Sequence, residues 1–266
     1  MGPRLSAVST AVLSWQADLP ELGELGLPDL QDSERAAAQQ TWLARMVNET
    51  VSSRVFAALL GQLLAAGGKP ADLQALATFA ADELRHGQLC AAVAHKLGAT
   101  AEQPLPPLPD VPDHRDTTPQ MAVLRNILSV CCLSETVAVA LIRAEHAELQ
   151  GTPLGTVLGQ ILADEVQHAR FGWQYLAAVA PTLTQTDRAE LGEWLAVAFA
   201  HLWQHELAHL PFASGRSAAA QAVGICDGVA ARQLLRDAIE QVIVPGLERQ
   251  GLAGELAWGR VVATWR

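Results

Sequence analysis

The chain has 266 residues, half of them hydrophobic, and a formal net charge of −10. This length and composition allow a sizeable core, so we predict a single domain over residues 1–266. A polyanion would meet a repulsive field, because affinity for nucleic acids comes from Lys and Arg side chains that neutralise phosphates. We therefore expect no nucleic-acid partner.

The cysteines and the apolar segments bear on the cellular compartment. The four cysteines form no CxxC pair, and Cys131 and Cys132 are adjacent, which is not typical of a disulfide scaffold. Residues 1–30 lack the uninterrupted apolar region of a secretory signal, and no run of eighteen apolar residues occurs. We expect a cytoplasmic location, reduced thiols and no membrane partner.

Apolar residues at helical spacing predict two helical hairpins. The first pairs a helix over 33–66 with one over 71–97, and the second pairs a helix over 119–150 with one that begins after Pro153. The segment 98–117 is rich in proline, which fixes φ and removes backbone donors, so it should be an extended connector. Two hairpins joined by one long crossover have the connectivity of a ferritin-like four-helix bundle.

Further helices are predicted beyond this bundle, which occupies about 33–180. Two lie over 182–210 and 228–244, a loop covers 211–217, and a short helical tail ends the chain. The predicted class is thus all-α, with additional C-terminal helices over about 182–266. These helices could close over a pocket, form a homodimer interface or lengthen the core.

Two Glu-x-x-His pairs, Glu83 with His86 and Glu165 with His168, carry the chemistry. Residues three apart on a helix share a face, so each pair can offer a carboxylate and an imidazole to one metal ion. Two neighbouring cations also need bridging carboxylates, for which we assign Glu49 and Glu135. We predict a dinuclear metal site held by six residues: Glu49, Glu83, His86, Glu135, Glu165 and His168.

The two bridging candidates are chosen by their position. Glu49 and Glu135 each interrupt the apolar stripe of a helix, where an unpaired buried carboxylate would be costly. Each precedes the glutamate of its hairpin partner by about thirty residues, which places both pairs near the middle of antiparallel hairpins. Asp82 and Asp164 directly precede those partner glutamates, where a carboxylate can accept a proton from a ligand imidazole and fix its tautomer.

The stretches DELRH, over 82–86, and DEVQH, over 164–168, resemble those of the ferritin-like di-iron carboxylate proteins, with the resemblance covering about 33–180. The Asp-Glu-x-Arg-His form is similar to that of oxygen-activating members such as bacterial multicomponent monooxygenase hydroxylases and p-aminobenzoate N-oxygenase. The second stretch has Gln167 where the first has Arg85, so an arginine ion pair behind the ligands is expected on one side only.

The resemblance implies a di-iron oxidase or oxygenase that activates O2 to oxidise a small organic substrate. Manganese or mixed manganese and iron would accept the same ligands. No rubredoxin-like CxxC module is present in the sequence, so an external electron donor is expected. The alternative in the same class is a ferroxidase or another iron-handling protein.

Three other residues could border the site. Cys131 and Cys132 lie one turn before Glu135 and either line a cavity or belong to the core. Tyr175, the only tyrosine, lies two turns beyond His168 and either relays an electron or only packs. Polar residues at the far end of the third helix are expected to form a solvated helix end: Arg143, Glu145 and His146.

A competing motif, HELAH, covers 205–209. Its residues His205, Glu206 and His209 match the HExxH signature of zinc peptidases, in which two histidines bind zinc and the glutamate is the general base. The extended form with a third histidine is absent from the sequence. His201 adds another histidine four residues earlier, so a zinc metallopeptidase and a surface stripe of histidines are both open interpretations.

Overall fold

The computed structural model describes residues 11–108, 110–210 and 215–264, which are mainly α-helical. The predicted all-α class is thus confirmed. Three sequence-based expectations fall partly outside the described residues: the first ten residues of the expected signal-free N-terminus, most of the loop predicted over 211–217, and the last two residues of the helical tail.

The first hairpin consists of α1 (Asp32–Ala65) and α2 (Pro70–Lys96), which pack along each other. The Glu34 carboxylate accepts a hydrogen bond of 3.0 Å from the Gln31 backbone N–H and so caps the start of α1. Gly67, with a φ of 78°, turns the chain, and Pro70 opens α2 at a position where its missing N–H costs nothing. Both boundaries agree closely with the sequence pattern.

The connector between the hairpins includes a strand, β2 (Glu102–Pro104), which pairs antiparallel with β1 (Val12–Ser14). Near its other end the buried side chain of Asn126 donates hydrogen bonds of 2.7 Å to the Pro112 carbonyl and to Gln62. The connector is thus fixed at both ends. Three-residue strands are too short to show an alternating pattern, and the sequence did not predict them.

The second hairpin departs from the single regular helix predicted over 119–150. Here α3 (Pro119–Ile127) continues through a π-helical turn (Leu128–Ser134) into α4 (Glu135–Glu148), and α5 (Pro153–Val179) packs against this continuous helix. The Ser134 hydroxyl donates to the Ser129 carbonyl at 3.2 Å, five residues earlier, which supports the wide turn. The π-helical turn ends directly before Glu135.

The C-terminal part consists of α6 (Gln185–His209), α7 (Ala218–Ala222), α8 (Gly228–Asp237), α9 (Val244–Arg249) and α10 (Gly254–Ala263). A second π-helical turn, Ala238–Ile243, joins α8 to α9 just before Pro245, which has no N–H to donate. Phe199 and Trp258 share one hydrophobic core with Val137 and Leu176 of the second hairpin. The additional helices therefore lengthen the core.

One helix in the described part of the chain, Pro119–Glu148, is long and apolar enough to cross a membrane by length and composition alone. The core helix of a soluble protein meets the same criterion. Here the helix packs against α5, and its buried residues are divided between the core shared with the C-terminal helices and the cluster that contains Phe56 and Phe79. The expectation that the chain has no membrane partner stays a prediction.

Candidate metal centre

A polar layer lies between two hydrophobic clusters at the middle of the two hairpins. On one side are buried residues such as Met46, Leu89 and Ile161. On the other side are buried residues that include Phe56 and Phe79. On each helix the predicted ligands fall between residues of these two clusters, so the ligand side chains are surrounded by apolar groups.

All six predicted ligands lie in this layer, in two overlapping groups that could each hold a metal ion. In each group the candidate ligand atoms lie within 4.8 Å of one another. We call these six residues the carboxylate–histidine cluster. One group contains Glu49, Glu83, His86 and Glu165, and the other contains Glu83, Glu135, Glu165 and His168.

The two groups share Glu83 and Glu165, whereas Glu49 and Glu135 each belong to one group. This differs from the sequence-based assignment, in which Glu49 and Glu135 bridged the ions. The reason is geometric: α2 and α5 direct the glutamates of their Glu-x-x-His pairs to the centre, and α1 and α4 supply the outer carboxylates. Glu83 and Glu165 are therefore the bridging candidates.

The carboxylates are crowded, and those of Glu83 and Glu165 are almost inaccessible to solvent, each residue being only 2% exposed, whereas the Glu49 side chain is 15% exposed. Burial, together with the negative charge of Glu165, raises the pKa values of Glu83 and Glu135 well above the usual range. Burial also opposes ionisation of Glu165, but its close contacts with His168, His86 and Glu135 outweigh this effect and lower its pKa. Two divalent cations would carry as many positive charges as four glutamates carry negative charges.

The two imidazoles direct equivalent nitrogens at the carboxylates. His168 Nδ1 lies 3.1 Å from Glu165 Oε2 and 3.3 Å from Glu83 Oε1, and His86 Nδ1 lies 3.2 Å from Glu165 Oε1. Both rings are fully buried, yet no group meets His86 Nδ1 with hydrogen-bond geometry. A buried nitrogen without a hydrogen-bond partner is unusual, and a bound metal ion would satisfy it. The residues present thus fit a metal centre.

The opposite nitrogens of these rings contact aspartates of the neighbouring helix. Asp164 Oδ2 is 3.1 Å from His86 Nε2, and Asp82 Oδ2 is 3.3 Å from His168 Nε2. Each aspartate therefore orients the imidazole of the other Glu-x-x-His pair, across the interface of α2 and α5. An aspartate that accepts the Nε2 proton fixes the tautomer in which Nδ1 carries the lone pair for a metal.

Arg85 contacts both aspartates, at 3.0 Å from Asp82 Oδ1 and 2.5 Å from Asp164 Oδ2. The expectation of an arginine ion pair on one side only was therefore wrong. A single arginine serves both sides because Asp82 and Asp164 approach each other across the helix interface, so Gln167 needs no charge. About half of the Arg85 side chain is exposed, which makes it the solvent-facing end of this network.

Replacing Arg85 with alanine should weaken the binding of both metal ions. Loss of a residue that supports ligand orientation typically costs about 10- to 100-fold in metal affinity, and here both imidazoles depend on one side chain. Metal titration of the Arg85→Ala chain would measure this loss. The matched control is Gln167→Ala, at the equivalent position of the second motif, which should leave both affinities unchanged. A loss for one ion alone would contradict the shared role.

Aromatic rings border one side of the cluster. The His168 ring centroid lies 4.4 Å from that of Phe79 and 5.2 Å from that of Phe56. The ring centroid of Phe171 lies 5.5 Å from that of Phe79, and the ring centroid of Tyr175 lies 6.0 Å from that of Phe171. Tyr175 therefore does not contact the cluster directly. Burial and the charge of Asp72 raise the pKa of the Tyr175 phenol. The rings exclude water from this side of the cluster.

The two adjacent cysteines face different surroundings. Cys131 is buried with the phenylalanines, and burial and the nearby charge of Glu135 raise the pKa of its thiol. Cys132 belongs to the core that the second hairpin shares with the C-terminal helices, where burial alone raises its thiol pKa. Of the two candidate pocket residues, only Cys131 lies on the side of the carboxylate–histidine cluster.

Glu145 corrects the expectation of a solvated end for the third helix. Glu145 is buried and forms an ion pair of 2.6 Å with Arg45. Arg45 lies on α1, one turn before Glu49. Arg45 lies 4.8 Å from the Trp42 ring centroid. Arg143 is exposed as expected, and His146 is partly buried. Sequence spacing missed the ion pair because its partners lie on different hairpins.

Two surface grooves lie apart from the carboxylate–histidine cluster. The larger has a volume of about 470 Å³ and lies between residues 21–25 and the turn from α4 to α5. The smaller has a volume of about 280 Å³ and includes His95 and Gly98 near the end of α2. No ligand of the cluster lines either groove, so neither one identifies a substrate path to the metal centre.

The histidines of the competing motif lie elsewhere, on α6. His201, His205 and His209 are exposed, and burial raises the pKa of the neighbouring Glu206 to about 7. Within the described ranges, the groups of three or more metal-ligating side chains both lie in the bundle. Among the described residues, no third metal-ligating side chain completes a site of the kind that a zinc peptidase requires at this motif.

Comparisons with known proteins do not place the chain in a family. No protein-family model matches it, and a search of the curated proteins found no match. The functional interpretation therefore depends on the residues of the cluster and their geometry.

Proposed function

We propose that this chain is a ferritin-like dinuclear metal protein, most simply a non-haem di-iron oxidase or oxygenase that oxidises a small organic molecule with O2. The observation that carries the proposal is the sharing of Glu83 and Glu165 by two ligand groups, each completed by one histidine and one further glutamate. Such a set of four carboxylates and two imidazoles is suited to iron or manganese.

The helix arrangement supports the ferritin-like part of the proposal. Ferritin-like di-iron sites take one glutamate from each of two helices and a Glu-x-x-His motif from each of two others. Here α1 and α4 supply the single glutamates, and α2 and α5 supply the motifs. The long connector between the two hairpins corresponds to the crossover of such bundles.

Iron, when bound, would supply the electrons that reduce O2, which the side chains of the cluster cannot do. The protein's own contribution is geometric and electrostatic. The glutamates would hold the ions and balance their charge, and Asp82 and Asp164 would keep the imidazoles in the metal-binding tautomer. The phenylalanines around His168 would exclude water from a centre that takes its electrons from an external donor.

Metal analysis followed by anaerobic Fe2+ titration tests this proposal. We expect two Fe2+ ions per chain, and a change in the visible absorption spectrum when O2 is added. The His95→Ala chain, which alters an exposed histidine of α2 outside the cluster, should behave identically. One ion per chain, or no spectral response to O2, would contradict the proposal.

A ferroxidase is the second candidate, and the partial exposure of one cluster carboxylate favours it. The Glu49 side chain is 15% exposed, so Fe2+ from solvent could reach the cluster there, and its oxidation needs no organic substrate. The two candidates differ in how much iron they consume. A ferroxidase given excess Fe2+ and O2 should oxidise many ions per chain, whereas an oxygenase without substrate should stop near two.

A further inference from the structure

A face of α6 outside the proposed metal centre carries three exposed histidines: His201, His205 and His209. We call this the histidine face. Its residues recur every four positions, so their side chains lie one above another along the helix. The ring centroids of His205 and His209 are 4.4 Å apart, and those of His201 and His205 are 6.2 Å apart with nearly parallel rings.

The separation of His205 and His209 fits two ligands of one ion. Imidazole nitrogens bind zinc at about 2.0–2.1 Å, so two of them on one ion lie about 3–4 Å from each other. Rings with centroids 4.4 Å apart can bring nitrogens to this spacing with small rotations. His201 lies one turn earlier, at the larger centroid distance of 6.2 Å from His205.

The protonation of the rings also suits metal binding. His209 Nδ1 lies 2.7 Å from the His205 backbone carbonyl, which can only accept a hydrogen bond, so Nδ1 carries the proton and Nε2 carries a free lone pair. No group in the described segments hydrogen-bonds the ring of His205.

We propose that the histidine face binds a divalent transition-metal ion of the Cu2+, Ni2+ or Zn2+ class, through His205 and His209 with support from His201. Imidazole ligands without carboxylates favour these ions, whereas the carboxylate-rich centre in the bundle suits iron or manganese. The chain would therefore carry two kinds of metal site with different selectivity. The inference does not depend on the function proposed for the bundle.

Retention of the purified, untagged chain on immobilised Ni2+ tests the histidine face selectively. An immobilised ion can reach exposed histidines but not His86 or His168, which are fully buried. We expect the native chain to be retained and the His205→Gln chain to elute at a much lower imidazole concentration. His209→Gln should have a comparable effect, because it removes the other ligand of the closely spaced pair, and His95→Gln should have none.

Cu2+ titration in solution provides the second measurement. Loss of a residue that merely orients a metal ligand costs about 10- to 100-fold in affinity, so the loss of His205 itself should weaken Cu2+ binding by more than about tenfold. The electron paramagnetic resonance spectrum should show coupling to at least two imidazole nitrogens, and this coupling should disappear in His205→Gln. Equal retention and equal Cu2+ affinity of the native and His205→Gln chains would overturn the proposal.

Discussion

Replacing Glu83 with glutamine should abolish the binding of both metal ions, whereas replacing Glu49 with glutamine should remove only one. Glu83 belongs to both ligand groups and Glu49 to one. An amide removes the negative charge that two neighbouring cations need between them, while the overall shape of the side chain is kept. Metal content after equilibrium dialysis against Fe2+ or Mn2+ would measure the stoichiometry directly.

The companion variants make this result specific. Glu165→Gln should behave like Glu83→Gln, and Glu135→Gln should behave like Glu49→Gln. Glu190→Gln, at an exposed position of α6, serves as the control and should leave both ions in place. If Glu49→Gln lost both ions while Glu83→Gln kept one, the bridging position would belong to Glu49, as the sequence alone first indicated.

The elements of this fold that the sequence predicts well are those with local causes. Gly67 and Pro70 end one helix and begin the next, and the prolines of the connector prevent a helix between the hairpins. The six cluster residues were found for a similar reason. A spacing of three puts Glu and His on one helix face, and Glu49 and Glu135 stand out because they interrupt apolar stripes.

What the sequence could not supply depends on how the helices are rotated against one another. Which glutamates bridge, which aspartate meets which imidazole, and whether Arg85 reaches one carboxylate or two are all decided across the interface of α2 and α5. No spacing along one helix encodes these contacts. The pair of Arg45 and Glu145 was missed for the same reason, because its members come from different hairpins.

The π-helical turn before Glu135 has a sequence signal that is visible only with the structure. Gly172 of α5 faces this turn, and a Cβ atom at that position would lie 2.5 Å from Cys131 Cβ and 2.8 Å from the Cys131 backbone carbon. The missing side chain therefore lets α5 approach the wide turn closely. In the sequence, Gly172 only looks like one more small residue on a helix face.

Replacing Gly172 with alanine should consequently be among the most damaging single-methyl changes in the chain. The added Cβ meets backbone that cannot rotate away, so α5 and the π-helical turn must separate, at a cost of about 2–3 kcal/mol in the free energy of unfolding. Separation would also move His168 away from Glu135, since Gly172 lies one turn after His168. We expect a lower midpoint of denaturant unfolding and preferential loss of the ion held by Glu135 and His168.

Two controls separate this steric effect from general consequences of mutation. Gly61→Ala, on an open part of α1, should stabilise the chain by about 0.5–1 kcal/mol, because alanine favours a helix more than glycine does. Leu235→Ala removes a buried side chain of α8 and should cost about 2–5 kcal/mol while leaving both metal ions bound. If Gly172→Ala kept both ions and its native stability, α5 would not need this close approach, and the position of Glu135 would have to be set by α4 alone.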